Sequence, residues 1–115
     1  MKKVLAVLLL AGVSVGIAFA AQGGFKDSVT AKKSTVAEVL KMNNNSYVSI
    51  QGNIIKRLSD DKYSFKDSTG TITVEIDDDK WGGVSAGTQD KLELVGEVEK
   101  KYNTTEVDVD TVRKL

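Results

Sequence analysis

Val48-Ser49-Ile50-Gln51-Gly52-Asn53-Ile54-Ile55-Lys56 reads as one strand with a bend built into it. Val48, Ile50 and Ile54 alternate with Ser49, Gln51 and Asn53, the period of two that puts one face in a core and the other in water. Gly52 falls in phase on the apolar side. A glycine inside a strand marks a bulge, a sharp bend or a close approach of another backbone. The pattern returns in Leu92-Glu93-Leu94-Val95-Gly96-Glu97-Val98-Glu99-Lys100, again apolar-x-apolar-x-Gly-x-apolar-x-Lys. The likeness reads as a shared structural need rather than a duplication. Two long strands, each bent at a mid-strand glycine, are what closing a small barrel requires.

Working outward, three more strands follow from the same alternation. Tyr63 and Phe65 alternate with Ser64 and Lys66; Ile72, Val74 and Ile76 with Thr71, Thr73, Glu75 and Asp77; Val107 and Val109 with Glu106, Asp108 and Asp110. Asp67-Ser68-Thr69-Gly70 carries Asp first and Gly last, a strong hairpin turn. Residues 78–90 form a long connection rich in Gly, Asp, Ser and Thr, without helical periodicity. Ahead of the first strand, Thr35-Val36-Ala37-Glu38 fits a capping box. Val36, Val39 and Leu40 then share one face, and Asn43-Asn44-Asn45 ends the segment. A short helix over 35–42 is placed to plug one barrel end. The expected fold class is all-β: a five-stranded oligonucleotide/oligosaccharide-binding (OB) barrel with one short N-terminal helix.

The first twenty residues say where the protein works. Met1-Lys2-Lys3 is a basic start, Val4 to Gly16 is almost wholly apolar, and Ala18-Phe19-Ala20 is a small-x-small cleavage site, the order of a secretory signal peptide. The reading is a leader over 1–20, a flexible or loosely docked arm over 21–33 and a barrel domain over 34–115. Phe25 is the side chain that could pin the arm. Cleavage leaves no stable membrane insertion.

Composition excludes several chemistries. Neither Cys nor His occurs. Thiolate or imidazole sites for zinc and copper are therefore ruled out, as are Ser-His-Asp and Cys-His catalysis. Without the leader, fourteen Lys and Arg stand against sixteen Asp and Glu, a net charge of −2. That makes a poor electrostatic trap for nucleic acid or an anionic membrane. Glycoside hydrolysis needs only two carboxylates, but a small barrel filled by its own side chains leaves no deep cleft for them. No enzyme activity and no cofactor are expected.

Taken together, certain stretches resemble a known family. They are the leader, Gly23-Gly24-Phe25, Val48-x-Ile50-x-Gly52-Asn53-Ile54, the run Tyr63-Ser64-Phe65-Lys66-Asp67-Ser68-Thr69-Gly70 through Asp77-Asp78-Asp79-Lys80-Trp81, Leu94-Val95-Gly96-Glu97-Val98 and Glu106-Val107-Asp108-Val109. The chain resembles the bacterial OB-fold (BOF) family of YgiW/YdeI-type periplasmic stress-tolerance proteins over nearly all of its length after the leader. The resemblance implies a five-stranded OB barrel in the periplasm of a Gram-negative bacterium. It also implies a part in tolerating envelope stress by binding something other than nucleic acid, with no established catalytic site. Gly82-Gly83 after Trp81 departs from the pattern.

Four groups of residues are candidates for function. The loops over 57–62 and 100–105 correspond to those flanking the OB binding face. With the strand between them they nominate Lys56, Arg57, Lys62, Tyr63, Lys66, Trp81, Lys100 and Tyr102 for a small molecule, a cell-wall glycan or an envelope protein. Ordinary polar loops would look the same. Tyr63, Phe65 and Trp81 fall near positions where nucleic-acid OB domains stack bases, yet Tyr63 and Phe65 lie in the core phase and Trp81 fits a lid over the barrel end. Glu93, Glu97 and Glu99 on one strand and Glu106, Asp108 and Asp110 on the next would repel if paired antiparallel. A hard cation would relieve them, as would plain solvation beside Lys91, Lys100, Lys101 and Arg113. Asp77-Asp78-Asp79 is either a chelating run or a strand terminus. Cation sequestration is thus the alternative to ligand binding.

Overall fold

The computed structural model describes residues 30–115. The leader, the Gly23-Gly24-Phe25 segment and most of the arm lie outside the described residues. The chain runs through β1 (Lys32–Lys33), α1 (Val36–Val39), β2 (Tyr47–Arg57), β3 (Lys62–Asp67), β4 (Gly70–Glu75), a 3-10 turn (Asp78–Lys80), β5 (Leu92–Lys101) and β6 (Thr104–Lys114). The sheet order is β1-β2-β3-β4-β6-β5, and β2 also pairs with β5. Strands β2 to β6 therefore close on themselves, a five-stranded OB barrel with β1 appended to β2 in parallel.

The two glycine strands pair with each other. Val48 faces Gly96, Ile50 faces Leu94 and Gly52 faces Leu92, so each motif's glycine lies opposite the first apolar residue of the other. Both glycines are required by close approach. A Cβ on Gly52 would stand 2.2 Å from the Lys66 carbonyl oxygen, and one on Gly96 2.2 Å from that of Asp108. At this bend β2 passes from pairing with β5 to pairing with β3. Register shifts leave Ile55 of β2 unpaired against β3, and Asp110 of β6 unpaired opposite Val95 and Gly96 of β5, bulges of the kind that turn barrel corners.

Val48, Ile50, Phe65, Val74, Ile76, Leu92, Leu94, Val98 and Val107 fill the interior and are fully buried. Val36 and Val39 of α1 join them, so the helix plugs the barrel, but it is shorter than the 35–42 expected: Leu40 already caps it and is exposed rather than on the buried face. Its capping box is complete: Thr35 N–H donates to Glu38 Oε1 (2.9 Å) and Glu38 N–H to Thr35 Oγ1 (3.1 Å). Asn45 ends the segment in the left-handed region, at φ 73°. The 78–90 connection holds only the 3-10 turn. Gly82 and Gly83 follow it at φ 58° and 81° and turn the chain in a way other residues adopt only with strain.

Candidate functional site

One groove is formed on the outer face of β2, at the bend. Its floor is Gln51, Gly52, Asn53 and Ile55. One wall is the entry to α1 together with the β3–β4 hairpin, and a single carboxylate fastens the two. Asp67 Oδ1 accepts from Thr69 N–H (2.7 Å), Thr69 Oγ1 (2.6 Å) and Gly70 N–H (3.2 Å), while Oδ2 accepts from Val36 N–H (2.9 Å). Burial pushes this carboxyl's pKa up, but the hydrogen bonds from Thr69, Val36 and Gly70 outweigh it and hold it below the usual range. The other wall is the end of the long connection. There the Asn53 amide donates to the carbonyls of Thr88 (3.1 Å) and Asp90 (3.0 Å). Between the walls lies about 690 Å³, bordered by Lys33, Lys66 and Lys91.

The residues nominated from sequence are dispersed. Lys66 lines the groove. Arg57 lies 5.7 Å from the centre of the Tyr63 ring and donates to the carbonyls of Ser59 (3.0 Å) and Asp60 (2.7 Å), which ties down the turn after β2. Tyr63 is buried in the core phase and meets Trp81 edge-on, with ring centres 5.7 Å apart. Trp81 packs on the core, in keeping with a lid. Lys62 pairs with Glu106 at 3.2 Å. Lys100 donates from Nζ to the Leu40 carbonyl (2.9 Å) and so closes the end of the helical segment. Lys56 is exposed near the end of β2, and Tyr102 stands 97% exposed at the β5–β6 turn. Lys33, Gln51, Asn53, Gln89 and Lys91, which border the groove, were not among the nominated residues. The alternation marked Gln51 and Asn53 as outward-facing beside a bend. Nothing local marks the walls, which segments distant in sequence bring together.

The acidic rows do lie side by side. Glu97 faces Asp108 and Glu99 faces Glu106 across β5–β6, and Glu75 of β4 faces Asp108. Burial raises the pKa of both Glu75 and Asp108; Asp108 adds to the rise in Glu75, and Glu99 to that in Asp108. Two lysines answer the charge. Lys62 sits on Glu106, and Lys101 lies 3.8 Å from Glu106 and 3.9 Å from Glu99. Glu106 is nearly buried beneath them, its Oε1 paired with Lys62 by charge but without a hydrogen bond. Carboxylate oxygens of Glu75, Glu99 and Glu106 come within 4.8 Å of one another, as do those of Asp61, Glu75 and Asp77. Of the Asp77–Asp79 run, only Asp77 joins such a group. Glu93 stands apart: the Arg113 guanidinium (2.8 Å) holds its pKa down, against a smaller upward push from burial, and Ser49 also donates to it.

Comparison with known proteins places the chain. The model of the Bacterial OB fold (BOF) protein family matches residues 14–114. Protein YgiW of Escherichia coli K12 is 38% identical over 128 aligned positions, covering 100% of this chain and 98% of the relative. The calcium-regulated OB-fold protein CarO of Pseudomonas aeruginosa is 34% identical over 86 positions, 75% of this chain and 74% of the relative. The solved structure of the hypothetical protein YgiW from E. coli superposes with a TM-score of 0.71 at 42% identity, over 82% of this chain and all of that one. Telomere capping protein Ten1 of Schizosaccharomyces pombe, at 18% identity and a TM-score of 0.60, covers 74% of this chain and 81% of its own, and shares the fold alone. The closed five-stranded barrel, its paired glycine bends and a match running nearly end to end agree: the chain belongs to the bacterial OB fold (BOF) family.

Proposed function

We propose that this protein is an exported, periplasmic binding module that contributes to envelope stress tolerance, and that its ligand sits in the β2 groove. The observation that carries the reading is the groove itself. Its volume falls within the range of about 300–1,000 Å³ typical of small-molecule sites, and its lining joins charged and amide side chains. A small molecule, a cell-wall glycan or a loop of an envelope protein would fit such a lining. Export rests on the leader, and stress tolerance on the family resemblance. We read the module as non-enzymatic, because the two acids lining the groove are both engaged: Asp67 by four donors and Glu38 by the Thr35 N–H. We also read it as not binding nucleic acid, since no aromatic ring among the described residues lines the groove to stack a base.

The test is an amide NMR titration with fractionated periplasmic extract and with muropeptides. Saturable shifts at Gln51–Asn53, Lys66–Ser68 and Thr88–Lys91 are expected. Shifts confined to the 57–62 and 100–105 loops would move the site to the rim, and Trp81, outside the groove lining, reports on that region by its fluorescence. A second reading, cation binding, is favoured by the convergence of Glu75, Glu99 and Glu106. Lys62 and Lys101 already supply countercharge there, so the groove is the better-supported site. Calorimetric silence with calcium and magnesium, in both the native protein and Lys62→Met, would remove the cation reading.

A further inference from the structure

We propose that the β2 groove selects an anion, a small ligand bearing carboxylate or phosphate, gripped by Lys33 and Lys66 from one wall and Lys91 from the other. This rests on the reading that the groove is the binding site and goes on to name what it takes.

Three observations carry it. First, these lysines have no ionic partner among the described residues, whereas Lys62, Lys80, Lys101, Arg113 and Lys114 each lie within 4 Å of a carboxylate. Three lysines without an ionic partner thus border one concavity. The two acids of the lining, Glu38 and Asp67, keep their charge while backbone and hydroxyl donors hold them in place, so three lysines against two carboxylates leave the described lining with a net charge of +1. Second, charge is divided across the barrel. Glu75, Glu106 and Asp108 lie on β4 and β6, the two barrel strands that β2 does not pair with. On β5, which does pair with β2, Glu93 opposite Gln51 is held by Arg113 and Glu99 by Lys101. Glu97 lies opposite Tyr47, at the other end of that pairing from the groove, so the field still steers anions toward the groove despite the overall negative charge. Third, the lining has no aromatic ring among the described residues. A nucleobase or a neutral sugar would find no stacking platform, which leaves charge and hydrogen bonds as the means of recognition. The site centres on the first strand of the barrel and takes in only the end of the second, whereas OB domains commonly bind on the second and third.

The experiment uses protein expressed with its leader, purified after export and labelled with nitrogen-15. It is titrated with pyrophosphate, citrate, trigalacturonate and uncharged maltotriose. Saturable movement of the Gly52, Asn53, Lys66 and Lys91 amides with an anion, weakening as salt rises from about 50 to about 300 mM, is expected. Affinity should fall by about tenfold or more in Lys66→Gln/Lys91→Gln, the loss of charge-assisted hydrogen bonds, and stay unchanged in Lys41→Gln. Response to pyrophosphate or citrate points to a small free anion. Response to trigalacturonate alone points to a polymer-borne carboxylate. If maltotriose moves the same amides equally well, the anionic assignment falls and the groove reading stands. If anions shift only amides elsewhere, both fall. If none of the three anions gives a saturable shift at the groove, the anionic assignment is overturned.

Discussion

At Gly96 a methyl group would stand 2.2 Å from the Asp108 carbonyl oxygen and 2.8 Å from Val109 Cα, and at Gly52 the obstruction is likewise backbone, the Lys66 carbonyl. Backbone within a closed ladder cannot swing away as a flexible side chain does. Gly96→Ala and Gly52→Ala are each expected to destabilise by about 3 kcal/mol, the upper part of the overpacking range. Urea unfolding would measure it, and a loss under about 1 kcal/mol would mean that the bends relax. Asp67 is the other residue on which much depends, since one carboxylate ties α1 to the β3–β4 hairpin. Asp67→Ala should cost about 1–2 kcal/mol, the scale of a lost cap, and should broaden the amides of α1. Its sign with pH follows from its depressed pKa: the contribution is present above the unfolded value of 3.8 and is lost as pH falls through the lower folded value. Both glycines were legible in the sequence, because a glycine in the apolar phase of a strand adds no side chain to the core and so marks a bend or a close approach. Asp67 was legible as a turn former, but its bond to Val36, thirty-one residues away, was not.

On the acidic face the linkage runs the other way. Burial disfavours the ionised forms of Glu75 of β4 and Asp108 of β6, and neighbouring carboxylates add to it, Asp108 for Glu75 and Glu99 and Asp110 for Asp108. Their folded pKa values lie above the ordinary 4.5 and 3.8. The folded state therefore binds protons more readily than the unfolded chain in the window between those values. Lowering the pH from neutral into that window should stabilise the barrel, before Asp67 and Glu93, both depressed, reverse the trend at lower pH. Melting temperature measured from pH 7 down to pH 3 should pass through a maximum. In Asp108→Asn the rise toward that maximum should shrink and stability at neutral pH should increase. A monotonic fall with acid in the native protein would contradict these raised values. The period of two read five strands from sequence because each has one buried face. It passed over β1, whose Lys32 and Lys33 are both exposed and carry no apolar phase. It also put the acids on one side of their strands correctly, but not the lysines that come to rest on them. Lys62 belongs to β3 and reaches Glu106 only through the closure of the barrel. The groove walls escaped for the same reason, since α1, the hairpin and residues 88–91 meet only in three dimensions.

For the molecule as a whole, closure is the weakest link. Strands β5 and β6 face each other at ten residue pairs and β2 and β5 at six, but β4 meets β6, in parallel, at only three: Thr73 with Glu106, Val74 with Val107 and Glu75 with Asp108. Parallel pairing is slightly weaker per residue, and this seam carries the Glu75–Asp108 repulsion as well. Without disulfides the barrel is held shut by its core, its ladders and the Lys62–Glu106 pair that joins β3 to β6. Opening along β4–β6 sacrifices the fewest ladder bonds and relieves like charges, while the β5–β6 hairpin keeps its own ladder. Native-state hydrogen exchange should therefore show the seam-facing amides of β4 exchanging through a sub-global opening, and the β5–β6 amides only on global unfolding. Asp108→Asn, which removes the repulsion without touching the backbone, should slow exchange at the seam more than at the hairpin. Equal protection throughout, unchanged by the substitution, would mean that the barrel opens as one unit. Because the β2 groove lies away from this seam, a ligand held there should raise the protection of β2 and β3 while leaving the β4–β6 opening nearly as it was.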